Sequence, residues 1–372
     1  MAMWRYVFAD LLTDRTIDVH DLAGVTFERR ITQAGTFKAS LAIPSRNIAD
    51  RARQIVPGRT VVHAYRDADI WGTFIIWIAT PGSDGKHTTL ELQGAALESY
   101  LFRRELRADA YTPPGGLDQL ALARALIVDM QVRPQGNIGL VAPGVDLSGV
   151  VRDRTYLRSD AKRYGDLLVE LANLLDGFEW MIRTYPSGGA RVREFVTGYP
   201  TLGQALVDHV YAQPGNILSW KESSDATAGA TSFQARGDNV STDIAEAEEP
   251  LMSQVFEATD LLAGGYPLLD ATEDHSGVIE QATLDSYAAA ASLDGRAPVV
   301  IPQATVRIDG TFSPNQLGDR VRLILVNDWY PLDGEGRPTY NRTRRVVGMA
   351  VTPVSRTGSE QMTLIFDGRA GA

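Results

Sequence analysis

The sequence predicts a mainly β fold with α/β insertions: two related small β-barrels flanking a mixed α/β segment. Three observations carry this. Both ends of the chain consist of short alternating apolar and polar runs separated by Gly/Pro turns, the pattern of barrels and sandwiches. The middle carries helical apolar stripes. Two stretches near opposite ends also read alike. "ATPGSDGKHTTLELQG" (79–94) and "VTPVSRTGSEQMTLIFDG" (351–368) share Thr-Pro, a Ser two residues on, a Gly, Thr-Leu and a closing Gly.

Residues 1–106 read as the first barrel domain. In "GTFKASLAIP" (35–44), Phe37, Ala39, Leu41 and Ile43 alternate with Thr36, Lys38, Ser40 and Ala42. "RTVVHAY" and "HTTLELQG" alternate in the same way, with "PGR" and "PGSDG" as turns. The most apolar run, "IWGTFIIWIATP" (70–81), is too short to span a bilayer and ends in Pro, so it reads as a buried strand. The N-terminus lacks a basic stretch followed by an apolar core and does not read as a signal peptide.

Residues 107–215 read as an α/β segment. "TPPGG" (112–116) breaks the chain, and "LDQLALARALIVDM" (117–130) has apolar residues on most faces, as a buried helix does. A second helix is predicted over 159–176. Ser159 or Asp160 caps it, Gly177 stops it, and Tyr164, Leu167, Leu168, Leu171, Leu174 and Leu175 form its core stripe. A hairpin over 178–197 follows, turning at Pro-Ser-Gly-Gly. Residues 216–237 and 300–372 read as the second barrel domain. It is interrupted over 238–299 by an acidic helical and loop insertion, poor in strand signals, in which "VIEQATLDSYAAAASLDG" (278–295) predicts a helix.

Composition excludes several classes. The 372-residue chain has no cysteine, which removes disulfides, thiolate catalysis and Cys-ligated zinc. A net charge of −10 argues against nucleic-acid binding, which needs a basic face. The dense basic spots "RRELR" (103–107) and "RTRR" (342–345) read as solvated strand ends.

The likeness of the two ends extends upstream. "PGRTVVHAY" (57–65) precedes the first stretch and "LGDRVRLIL" (317–325) the second. Each region runs from a Gly-Arg or Gly-Asp-Arg turn into an alternating strand, then to a second strand ending in Thr-Pro and a third ending in Gly. One reading is shared turn chemistry. The other is two related barrels, in which case three copies would present six similar units about one axis and match a six-fold ring.

Domain order, "SDAKRYGDLLVELANLLDGFEWMIR", "GNILSWKESSD…ATSFQARG" and "LGDRVRLIL" together resemble the bacteriophage tail-tip and baseplate hub family. These are minor tail proteins of long-tailed phages, with the fold of siphophage tail-associated proteins and of the N-terminal part of type VI secretion spike proteins. The resemblance implies a structural virion protein, assembled in the host cytoplasm and placed at the tail tip. It implies a homotrimeric ring between the six-fold tail tube or distal tail protein and the tip fibre or spike, contacting the tape-measure protein and letting DNA pass. A net acidic channel would repel DNA and let it slide. The resemblance implies neither sequence-specific nucleic-acid binding nor a membrane span.

An enzyme is the competing class, since tail tips also carry cell-wall hydrolases. The sequence has no Gly-x-Ser-x-Gly, His-Glu-x-x-His or P-loop motif. His20, His63, His87, His209 and His275 are scattered and read as surface or satisfied polar residues. Glu246, Glu248 and Glu249, and Asp270, Glu273, Asp274 and His275, form acidic clusters of the kind glycosidases or divalent cations use. In a low-complexity polar stretch they read as solvated. Asp328, Asp333 and Glu335 lie on "NDWYPLDGEG" (327–336), which lacks a calcium-loop pattern and reads as a hairpin tip able to touch a neighbour. Asp319 and Arg320 are either turn chemistry or an intersubunit ion pair. A carbohydrate-binding receptor module is the third class, with Trp329 and Tyr330 as its aromatic candidates. No catalytic, cofactor-binding or metal residue is assigned, and no cofactor is expected.

Overall fold

The computed structural model describes residues 3–107, 110–111, 116–204, 207–227, 229–239, 249–297, 299–308, 312–353 and 359–367. The chain is mainly β, with α/β insertions. Its N-terminal strands are β1 (Trp4–Asp10), β2 (Thr16–His20), β3 (Ala23–Arg30), β4 (Thr36–Ala42), β5 (Thr60–Arg66), β6 (Asp69–Ser83) and β7 (Thr88–Ala96). Period-2 alternation puts Phe37, Ala39 and Leu41 of β4 in the core, as the pattern predicts.

Next come helix α1 (Gln119–Met130), helix α2 (Tyr164–Ala172) and the hairpin of β8 (Glu179–Ser187) and β9 (Ala190–Gly198). The C-terminal strands are β10 (Val207–Gln213), β11 (Ile217–Asp225), β12 (Ser232–Asn239), β13 (Val299–Arg307), β14 (Arg320–Leu325), β15 (Tyr340–Thr352) and β16 (Gln361–Phe366), with helix α3 (Gln281–Asp294) between β12 and β13.

Thirteen strands form one sheet. Its order is β11–β13–β16–β15–β3–β4–β7–β6–β5–β1–β2, with β14 on β15 and β10 on β14. Among the described residues neither half closes on itself through strand pairing. The halves instead join through β3 and β15, and one core takes Phe8, Phe37 and Phe74 from the first half and Phe312, Leu323 and Phe366 from the second.

The duplication is present in the topology. The order β3–β4–β7–β6–β5 in the first half repeats as β11–β13–β16–β15–β14 in the second, every pair antiparallel and every strand in the same chain order. The flanking strands differ: β1 runs antiparallel to β5, whereas β10 runs parallel to β14.

The α2 helix is shorter than the 159–176 stripe suggests. Residues 158–160 form a separate 3-10 turn, and Ala161 takes a left-handed backbone. The Lys162 carbonyl then accepts from Leu106 N–H and the Tyr164 N–H donates to the Arg104 carbonyl, so this backbone is committed to residues 104–106. At the other end Asp176, not Gly177, takes the left-handed turn. The apolar stripe still packs, with Tyr164, Leu167, Leu168, Leu171 and Leu174 buried against α1 residues such as Leu126 and Ile127. Leu175 is exposed.

Residues 216–237 divide. β11 joins the large sheet, whereas β12 pairs with Pro250–Met252, Phe256–Glu257 and Asp270–Asp274 in a four-stranded sheet covered by α3. The stretch poor in strand signals therefore contributes three short strands to that sheet. Most of the TPPGG break (112–115) and the 354–358 turn lie outside the described residues.

Candidate assembly site

The Gly-Arg and Gly-Asp-Arg turns do the same job in both halves. Gly58 N–H donates to the Ile76 carbonyl at 2.7 Å, and Gly318 N–H donates to the Val346 carbonyl at 2.8 Å. Both glycines have positive φ, 76° and 101°, a region that costs a side chain energy. One residue beyond each accepting carbonyl the long strand bulges, between Ile76 and Ile78 in β6 and between Val346 and Gly348 in β15. Ile76 and Val346 are thus equivalent positions.

The Thr-Pro letters do not follow this equivalence. Thr80 is four residues past Ile76, while Thr352 is six past Val346. What repeats is a glycine turn, a strand and a bulge; the matching letters are offset along it.

In the second half the stretch beyond the bulge is occupied. Ile31 N–H donates to the Val347 carbonyl at 3.0 Å. Arg30, Arg29, Glu28 and Phe27 of β3 pair with Gly348, Met349, Ala350 and Val351. This joint carries the first half onto the second.

Ion pairs lock the β8–β9 hairpin to both halves. Arg193 donates to Asp14 Oδ1 at 2.6 Å and to the Leu11 and Ile138 carbonyls, and Arg191 donates to Asp14 Oδ2 at 2.7 Å. His63 Nε2 lies 3.1 Å from the same Asp14 carboxylate, and its Nδ1 lies 2.8 Å from Thr73 Oγ1. Burial pushes the Asp14 carboxyl up, but His63 and the two arginines override it and hold it well below the ordinary range. Burial drives the His63 pKa down to about 4, against the pull of Asp14. A neutral ring that donates from Nε2 and accepts at Nδ1 satisfies both contacts.

On the second half, Arg345 donates to both oxygens of Glu179 and to Asp367 Oδ2 at 2.7 Å. Between these locks, buried Glu98 accepts from Ile182 N–H at 2.9 Å, while Arg29 donates to the Ile182 carbonyl. Burial raises the Glu98 pKa, with Arg29 opposing. The two halves also meet at Glu360: Arg66 donates to both of its oxygens, and Trp4 Nε1 donates to it at 2.9 Å.

No protein-family model and no curated protein matches the sequence. Solved structures do match its fold, along nearly its whole length. A tail protein from Neisseria meningitidis MC58 covers 98% of this chain and is covered over 96% of its own, at TM-score 0.56 and 15% identity. The 43 kDa tail protein of prophage MuSo2 from Shewanella oneidensis covers 99%, is covered over 100%, and scores 0.60 at 8% identity. Prophage tail protein gp18 from Listeria monocytogenes EGD-e covers 97%, is covered over 94%, and scores 0.53 at 12% identity. The chain has a phage tail-protein fold.

On this tail-protein fold the sequence candidates fall into place separately. Asp319 Oδ1 accepts from Gln204 N–H at 2.8 Å, so it fastens its own turn to the 199–204 segment. The Asn327–Gly336 loop is a self-capped tip. Asn327 Oδ1 accepts from the Trp329 and Tyr330 amides, and Asp333 accepts from the Glu335 and Arg337 amides. Asp328 and Glu335 face solvent, and Arg337 pairs with Asp333 and Glu335.

Trp329 is 75% exposed at the tip, but Tyr330 turns inward against Trp220 and Tyr340 and donates to Glu222. The two do not form a shared aromatic platform.

The acidic insertion is paired partly with β12 and partly within itself. Arg236 donates to both oxygens of Asp274, His275 lies 3.5 Å from Glu273 and stacks on Tyr287, and Asp270 lies at the exposed start of its strand. Among the described residues no group of three His, Asp or Glu is placed to hold a metal ion. Glu246 and Glu248 lie outside the described residues; Glu249 is exposed. Of the other histidines, His20 is buried beside Asp18, His209 packs edge-on to Phe312, and His87 is exposed. No described helix is long and apolar enough to cross a membrane.

Sequence reading did not single out Asp14, Glu98, Glu179, Arg191 or Arg193, and it read "RTRR" (342–345) as a solvated strand end, whereas Arg345 is buried within β15 between Glu179 and Asp367. Each is an ordinary charged residue until the fold brings its partner from tens to hundreds of positions away.

Proposed function

We propose that this chain is a structural virion protein, a tail-tip or baseplate hub. Three copies form a ring that joins the six-fold tail tube or distal tail protein to the tip fibre or spike and lets DNA pass. The observation that carries this reading is the internal duplication on a tail-protein fold: one chain holds two like-ordered β units, so three chains present six. The locked hairpin between the halves suits a rigid ring component. The net charge of −10 suits a channel that repels DNA. Neighbouring tip proteins and the tape-measure protein are its expected partners, and no cofactor or catalysis is required.

Light scattering on the purified chain, alone and mixed with tube protein, tests the proposal. The expected result is a mass near three times 40.5 kDa, or capture on tube rings. A monomer that ignores tube protein and clears cell walls would overturn it in favour of a hydrolase.

A further inference from the structure

The joint between the two halves of one chain is a template for the joint between two chains. In the intact joint, the β15 stretch beyond the bulge receives an antiparallel partner, β3. The equivalent stretch of β6 begins at Trp77. It pairs with β7 on one side, but β5 ends its pairing with β6 at Ile75, so among the described residues the other edge beyond the bulge has no strand on it. Ile78, at the start of that edge, is 50% exposed. The counterpart of β3 is β11, which pairs with β13 on one side and has no strand partner on the other among the described residues. Each half thus presents one half of a joint that the chain completes once internally.

The register follows from shared neighbours. Phe27 pairs with Phe37 across β3 and β4, and Glu222 pairs with Pro302 across β11 and β13. Lys38 of β4 pairs with Gln93, one position from the partner of Ile76; Gln303 of β13 pairs with Ile365, one position from the partner of Val346. Phe27 and Glu222 are therefore equivalent, as are Val351 and Pro81.

We infer that residues 222–224 of one copy pair antiparallel with residues 79–81 of the next, setting Glu222 opposite Pro81, Ser223 opposite Thr80 and Ser224 opposite Ala79. This deepens the hub reading and rests on it. Ile31 donating to Val347 fixes which residues face the partner, so Met349 and Val351 do too, and by equivalence Ala79 and Pro81. Pro81 lacks an N–H but keeps its carbonyl, and proline belongs on such an edge strand. The polar Lys221, Glu222, Ser223 and Ser224 on β11, with Pro81 on β6, guard both edges against indiscriminate pairing.

The absence of native cysteine gives a clean test. Thr80 and Ser223 would form a non-hydrogen-bonded pair with Cα atoms about 4.5 Å apart, inside the range a disulfide bridges. The Thr80→Cys/Ser223→Cys double variant should give covalent dimers and trimers on a non-reducing gel after mild oxidation, while each single variant stays monomeric on that gel. As a second variant, Ala79→Pro removes an edge N–H that the isolated chain leaves unused. It should keep the wild-type circular dichroism spectrum and lose the trimer. A trimer by light scattering with no crosslink, or an Ala79→Pro protein that still trimerises, overturns this joint and leaves the hub reading standing. A wild-type chain that stays monomeric and is not captured on tube rings overturns both.

Discussion

Arg345 and Glu179 are 166 residues apart and meet as a two-pronged ion pair, with donor–acceptor distances of 2.7 and 2.6 Å. Their side chains are largely withdrawn from water, at 3% and 15% exposure. Burial works against the Arg345 charge, and Glu179 with Asp367 overrides it and raises its pKa. Removing one partner leaves the other charge buried. Glu179→Ala should therefore lower the unfolding free energy by roughly 3–5 kcal/mol. Asp274→Asn, which breaks the exposed and solvent-screened pair with Arg236, should cost far less. Guanidinium unfolding of the two variants side by side checks the contrast.

The Asp14 cluster predicts acid sensitivity. His63 has an ordinary pKa of 6.5 and about 4 in the folded chain. Between those values the unfolded chain holds the proton more readily than the folded one. Stability is therefore full above about pH 6.5 and falls as pH drops toward 4, by up to roughly 1.4 kcal/mol per pH unit from this residue. The depressed Asp14 carboxyl adds a loss in the same direction at lower pH. Denaturation midpoints across this range should show the decline, and His63→Gln should flatten its upper part.

The two glycine turns are equivalent in bonding and unequal in tolerance. A Cβ on Gly318 would clash with the Leu202 carbonyl, whereas one on Gly58 would meet nothing nearer than the Trp77 ring at 3.8 Å. Gly58→Ala should cost about 1 kcal/mol, for the left-handed backbone alone. Gly318→Ala should cost roughly 2–3 kcal/mol or more, since the backbone must also move. Thermal unfolding ranks them.

Trp329 stands at the tip of the 327–336 loop, exposed in the single chain. If this tip meets a neighbouring subunit or tip protein, acrylamide quenching of Trp329 should fall on assembly. Trp329→Phe identifies that contribution to the fluorescence. Trp329→Ala should leave the stability of the unassembled chain within about 0.5 kcal/mol of wild type.

Local pattern was enough for the elements. The alternation of Phe37, Ala39 and Leu41, or of Val321, Leu323 and Leu325, dictates which face of a strand is buried, because one missed step would turn every apolar residue to water. The leucine stripe of α2 dictates its buried face in the same way, and the glycine turns at 58 and 318 mark where related strands begin. Tertiary structure decided what touches what. The β3–β15 joint, the departure of β12 into its own small sheet and the truncation of α2 by the backbone of residues 104–106 depend on partners distant in the chain. So do the locks at Asp14, Glu98 and Glu179. Alternation states that a strand has a buried face and says nothing of its edge, and a charged residue looks the same in sequence whether its partner is a distant arginine or water.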